Sequence, residues 1–243
     1  MVGLAPVALG TERVLVVELG LRVVSERSPM IDLDGDGAVA GTIGTSKAEC
    51  FHRGALVGVQ PTPEVGDGHD VAALGDHGGK ERIQEYSPYD SQHWGEGLGR
   101  EYAGFLAETL KPHIDKNFRT LTDRAHTGIG GSSMGGLISI YAGLMFPQVY
   151  SKFMIFSPSL WASPKIYAEP MQFATFDSPT KIYLYGGSRE GSNMVPNLKR
   201  FKDSVEKSSH GRAHIRMEID PHGRHNEDRW GAEFPKAAEW LFH

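Results

Sequence analysis

One short turn constrains this chain more than any other feature: Gly131-Ser132-Ser133-Met134-Gly135, set between two apolar runs. Before it, Ala125-His126-Thr127-Gly128-Ile129-Gly130 reads as a buried strand; after it, Gly136 to Phe146 reads as an apolar helix. A Gly-x-Ser-x-Gly sequence in that context is the pattern of a nucleophile elbow, where the chain reverses too sharply for large flanking side chains. Gly131 and Gly135 let the helix lie close to its neighbours. Ser133 is then expected to project from a strained backbone at a helix N-terminus. There the free N–H of Met134 can bind a developing oxyanion.

The rest of the chain predicts a scaffold for such a turn. Arg13–Val17, Ala55–Val59, Phe153–Phe156, Lys181–Tyr185 and His214–Ile219 read as strands. Helical spacing recurs over Arg100–Phe118, over 193–207 (Val195, Leu198, Phe201, Val205) and over Glu227–Phe242 (Phe234, Ala237, Ala238, Leu241). Pro112 is expected to kink or weaken the end of the first of these helices. Strands alternating with helices imply a mainly parallel central sheet flanked by helices, an α/β fold. Residues 32–80, rich in Gly, Asp and His, show no usable periodicity, so 1–80 reads as divergent or irregular. The 243 residues are nevertheless of a size for a single domain, with neither internal repeats nor a linker in the sequence.

Composition narrows the partners. A net charge of −5 argues against nucleic acid or an anionic membrane surface, and no apolar run approaches the ~20 residues of a membrane span. The first residues lack the basic flank of a secretion signal, and the single cysteine, Cys50, has no internal partner, so a cytoplasmic location is expected. Asp32-Leu33-Asp34-Gly35-Asp36-Gly37 fits the first half of a calcium loop. Its ninth and twelfth positions, however, are Ala40 and Ile43, so a surface turn and no metal is expected.

A serine hydroxyl attacks only when a base takes its proton, and the base works best when a carboxylate orients it. In this architecture the acid and then the histidine follow the serine on loops after later strands. The loop Gly186–Gly191 offers Glu190, with Asp203 and Glu227 as other carboxylates; the loop Asp220–Glu227 offers His222 and His225.

Four segments in order now carry a resemblance. Arg82-Ile83-Gln84-Glu85-Tyr86-Ser87-Pro88, Gly131–Gly136, Phe156-Ser157-Pro158-Ser159-Leu160-Trp161 and His225-Asn226-Glu227-Asp228-Arg229-Trp230 together resemble the putative-esterase family of α/β-hydrolases. This group includes esterase D-like, siderophore-esterase-like and feruloyl-esterase-like enzymes. The likeness spans about residues 80–243. It implies an α/β-hydrolase fold with Ser133 as nucleophile, His225 as base and Glu190 as acid. It also places the loops of Tyr86 and Trp161 at the rim of the serine as substrate contacts, while Trp230, at helical spacing from Phe234, reads as a core residue. Where the family carries His-Asp-Gly after its equivalent of strand Arg13–Val17, this chain reads Glu18-Leu19-Gly20. The second oxyanion donor is therefore expected at Leu19 or Gly20, and the charge of Glu18 beside a developing oxyanion is expected to raise the barrier unless its side chain points away. The activity implied is hydrolysis of a small or aryl carboxylic ester through an acyl-enzyme, with a small-molecule substrate and no cofactor. An acyltransferase on the same fold and a degenerate, non-catalytic binding protein are the alternatives. The oligomeric state is not legible.

Overall fold

The computed structural model describes residues 82–117, 120–169 and 178–242, together with the backbone of the strands between residues 12 and 75. Those earlier strands are β1 (Glu12–Glu18), β2 (Ile31–Asp32), β3 (Ala38–Ile43), β4 (Leu56–Val59) and β5 (His69–Gly75). β3 and β5 fall in the stretch that shows no periodicity. Both are short runs of small residues, Ala-Val-Ala-Gly-Thr-Ile and His-Asp-Val-Ala-Ala-Leu-Gly, and so lack the bulky alternation that identifies a strand from sequence.

A short helix α1 (Arg82–Glu85) leads into the long helical stretch that the sequence predicts over Arg100–Phe118. It forms as three joined segments: α2 (Gly99–Gly104), a π-helical turn (Phe105–Leu110) and α3 (Lys111–Asn117). The disturbance thus falls before Pro112, not after it. Proline has no N–H for the carbonyl one turn back and its ring crowds that carbonyl, so the preceding turn widens. The later elements follow the predicted alternation: β6 (Thr127–Ser132), α4 (Met134–Met145), β7 (Lys152–Phe156), β8 (Thr180–Gly187), α5 (Met194–Ser209), β9 (Ala213–Asp220) and α6 (Glu227–Phe242).

The sheet runs in the order β2-β3-β5-β1-β6-β7-β8-β9, and β4 also pairs antiparallel with β6. From β5 to β9 along this path every pairing is parallel, with Val14↔Val71, Val16↔Ile129, Ile129↔Phe153, Phe153↔Ile182 and Ile182↔Ile215 in register. β6 and β7 are buried along their whole length, as strands covered on both faces must be. Among the described residues β9 pairs with β8 alone, and it alternates between half-buried and exposed at its start, with the Arg216–Glu218 ion pair on its surface. α4 packs on β6 and β7, α6 on β7 and β8, and α5 on β8 and β9. Leu137, Ile138, Phe153, Ile155, Leu184, Leu198, Phe201 and Leu241 meet in the resulting core. The parallel strands all point their C-terminal ends at one rim. In open α/β sheets that rim is where ligands bind.

The opposite end of β7 carries a buried cation. Lys152 is 9% exposed, and its ammonium lies 5.8 Å from the Phe242 ring centre. Burial, together with the nearby Lys181 and Arg124, pushes its ammonium down to about 8 from the ordinary 10.5. Between those two values the unfolded chain holds more protons than the folded one. The penalty is therefore full below pH 8 and is relieved as pH rises through that window. Lys152→Met is expected to stabilise the fold by about 1–3 kcal/mol at pH 7. Denaturant unfolding of both proteins should show this advantage shrinking as pH rises from 8 toward 10.5.

Candidate active site

β6 ends at Ser132 and α4 begins at Met134, so Ser133 alone makes the reversal, at φ 57° and ψ −122°. Those angles are costly for any residue with a Cβ and persist only where the surroundings impose them. Here backbone hydrogen bonds clamp the residue: Ser133 N–H donates to Phe156 O at 3.0 Å, and Ser133 O accepts from Ser159 N–H at 2.9 Å and from Leu137 N–H at 3.2 Å. Met134 N–H opens α4 and so has no intrahelical acceptor; it lies at the positive end of the helix.

Two further loops leave the same rim. After β8 the chain turns through Ser188 and Arg189 to Glu190; after β9 it turns through His222 to His225. The loops are joined to each other. Ser188 N–H donates to Asp220 O at 2.9 Å and Arg189 N–H to Gly223 O at 3.0 Å. Gly187 and Gly223 meet so closely that a Cβ on Gly187 would sit 2.3 Å from the carbonyl carbon of Gly223. Asp220 braces the turn. The His222 N–H on its carboxylate, with the Tyr185 hydroxyl and Arg229, holds it below the usual carboxylate range.

These loops bring together groups 92 and 35 residues apart in sequence. His225 Nε2 is 2.9 Å from Ser133 Oγ, and His225 Nδ1 is 2.7 Å from Glu190 Oε2. The Glu190 side chain is fully shielded, whereas the His225 side chain is 41% exposed. An ionised carboxylate only accepts, so the Nδ1 proton faces Glu190 and Nε2 is left as an acceptor for the Ser133 hydroxyl. Ser159 Oγ, 3.2 Å from Ser133 Oγ, is then the donor in that contact. Chemically, the arrangement can take a proton from a hydroxyl lying beside a free helix N–H.

The other candidates separate clearly. His222 pairs with Arg189 Nη2 at 3.0 Å, Asp203 is exposed on α5, and Glu227 opens α6. Trp161 is 59% exposed and stands on the wall of an open cleft of about 460 Å³, together with Met194, Asn197, Glu190 and His225. The Trp94 ring packs edgewise on it, 5.5 Å between centres. Tyr86 does not reach the cleft. It is completely buried against Tyr102 and Arg82, because an aromatic ring at the α1–α2 junction gains more from the core than from the rim. Leu19 lies outside the described residues, one position beyond the end of β1, where Glu18 is in register with Gly131.

Two residues at the site carry no role in the sequence reading beyond motif membership or packing. Ser157, fully buried, donates from Oγ to Glu190 Oε1 at 2.8 Å. Trp230 is buried as expected, but its Nε1–H also donates to Ser157 Oγ at 2.9 Å, and its ring meets the His225 ring at 4.9 Å. Both lie in the motifs Phe156–Trp161 and His225–Trp230, but 73 residues separate them and nothing in the sequence joins them.

Among the described residues no helix is long and apolar enough to cross a membrane. Against known proteins, the chain is 24% identical over 175 residues to the uncharacterized protein YbbA of Bacillus subtilis (strain 168), covering 66% of this chain and 69% of that one. It is 30% identical over 107 residues to the ferri-bacillibactin esterase BesA of the same organism, covering 42% of this chain and 36% of that relative's length. The BES protein structure from Bacillus cereus superposes with a TM-score of 0.66 at 16% identity, covering 92% of this chain and 98% of the other, and the chain has the α/β-hydrolase fold. The family model described as "Putative esterase" matches residues 68–241, well over half of the sequence, and the chain belongs to that family of ester hydrolases.

Proposed function

We propose that this protein is a serine carboxylesterase that hydrolyses a small or aryl ester through an acyl-enzyme, built on one α/β-hydrolase domain. The observation that carries this is the continuous line from Ser133 Oγ through His225 to the shielded carboxylate of Glu190, at 2.9 and 2.7 Å. His225 accepts the Ser133 proton as Oγ bonds to the ester carbonyl carbon. The Met134 N–H, with a second donor at Leu19, binds the oxyanion. Collapse breaks the ester C–O bond, and His225 returns the proton to the departing alcohol. Water then repeats the cycle on the acyl-enzyme and releases the acid. No cofactor enters these steps.

The exposed face of Trp161, extended by Trp94, gives the cleft an aromatic wall and supports an aryl group on the substrate. The name of BesA, a ferri-bacillibactin esterase, supports an ester as the bond that is cleaved. A chromogenic aryl ester mixed rapidly with the protein should release a burst of alcohol equal to the protein concentration, then a slower steady rate. Added methanol should divert little of the acyl group; a product that is mostly methyl ester would make the protein an acyltransferase. A fluorophosphonate should label Ser133, and an unlabelled protein without a burst would end the proposal.

A further inference from the structure

The proposed acid is held in place by more than its histidine. Glu190 Oε1 accepts from Gly187 N–H at 2.5 Å and from Ser157 Oγ at 2.8 Å, while Oε2 faces His225. Ser157 is the first residue after β7, is completely buried and sits at φ 44°, in the left-handed region that disfavours a side chain. A buried non-glycine residue kept in that conformation indicates that its hydroxyl has a use. That use follows from its second partner. An indole N–H can only donate, so the 2.9 Å bond from Trp230 Nε1 makes Ser157 Oγ an acceptor there. The Ser157 proton is thereby directed away from Trp230 and onto Glu190.

We propose that Ser157 and Trp230 are positioning residues, which act by fixing the rotamer and donor set of Glu190 and hence the tautomer of His225. Trp230 serves at both ends of this path. Its N–H orients the Ser157 hydroxyl, and its ring lies edge to face against His225, 4.9 Å between centres at 87°. The resulting circuit runs Trp230–Ser157–Glu190–His225 and back to Trp230. It ties the end of β7, the loop after β8 and the start of α6 to a single carboxylate. The inference rests on the triad reading above and extends it to groups that never touch the substrate.

Ser157→Gly separates the hydroxyl from the backbone, because glycine adopts φ 44° without strain and removes only the side chain. Trp230→Phe keeps a ring beside His225 and removes the N–H. For Ser157→Gly the expected result is a kcat lower by roughly 10- to 100-fold on an aryl ester, with KM unchanged within twofold, while the relieved backbone strain and the buried Trp230 N–H left without its acceptor offset each other in thermal stability. Trp230→Phe should lower kcat by about 3- to 10-fold. In both variants the downfield Nδ1 proton resonance of His225 should shift or broaden. Fluorophosphonate labelling of Ser133, followed in parallel, keeps two failures apart. A parent protein that is not labelled overturns the triad reading and the assignment with it. A labelled parent whose Ser157→Gly variant keeps parental kcat and the parental resonance overturns the positioning role alone.

Discussion

Replacing Ser133 by glycine is expected to abolish ester turnover and, at the same time, make the protein more stable. Both effects come from the same angles. At φ 57° and ψ −122° a serine is strained by ~1–3 kcal/mol, a cost that glycine does not carry. Loss of the Ser133 hydroxyl contacts to Ser159 and His225 offsets part of the gain. A net stabilisation of about 1 kcal/mol would raise Tm by roughly 2–4 °C in a chain of this size. Activity should fall by roughly 10⁴- to 10⁶-fold, since the remaining groups then lack a nucleophile. Ser133→Ala should lose the same activity without the gain in Tm, because its Cβ keeps the strain. Steady-state hydrolysis of a chromogenic ester and a thermal melt of each variant check the pair. Turnover within tenfold of the parent would remove Ser133 from the reaction.

Glu190→Gln should be nearly as damaging, although it changes one atom in a shielded position. The parent carboxylate receives three donors, from Gly187 N–H, Ser157 Oγ and His225 Nδ1. A carboxamide has only one accepting oxygen. If its oxygen faces Gly187 and Ser157, its NH₂ faces His225 and pushes the ring proton to Nε2, where it confronts the Ser133 hydroxyl as a donor. If the amide flips, two N–H and O–H donors meet an NH₂ in a site closed to solvent. The first arrangement inverts the tautomer, and loss of kcat by about 10³- to 10⁴-fold follows. The second leaves buried donors unmatched and costs ~1–3 kcal/mol of stability. Glu190→Asp keeps the charge on a shorter stem and should recover part of kcat, which separates charge from reach. Glutamine turnover within threefold of the parent would mean that the carboxylate is not the acid of this site.

Much of the scaffold was readable because burial writes a local pattern. The largely apolar α4 and the stripe Leu198, Phe201 and Val205 on α5 identify themselves by composition and spacing, and so does the strand 181–185. β3 and β5 were not readable, because small residues in short runs leave no such pattern. Tyr86 shows a different limit: a motif does not say which of its side chains turns inward. Ser157 and Trp230 show the same limit in reverse, as polar contacts hidden within recognisable segments.

By itself the sequence determined the elbow, the order of strands and helices around it, and a short set of acids and histidines on later loops. Chain chemistry is enough for these, because tight turns, periodic burial and loop composition are local. The motif resemblance already singled out His225 and Glu190, but only the tertiary structure decided that His225, and not His222, meets Ser133, and that Glu190, and not Asp203 or Glu227, meets His225. Those choices turn on separations under 3 Å between groups 35 to 92 residues apart. Such distances are set by parallel register and by the packing of Gly187 on Gly223, which no local pattern encodes.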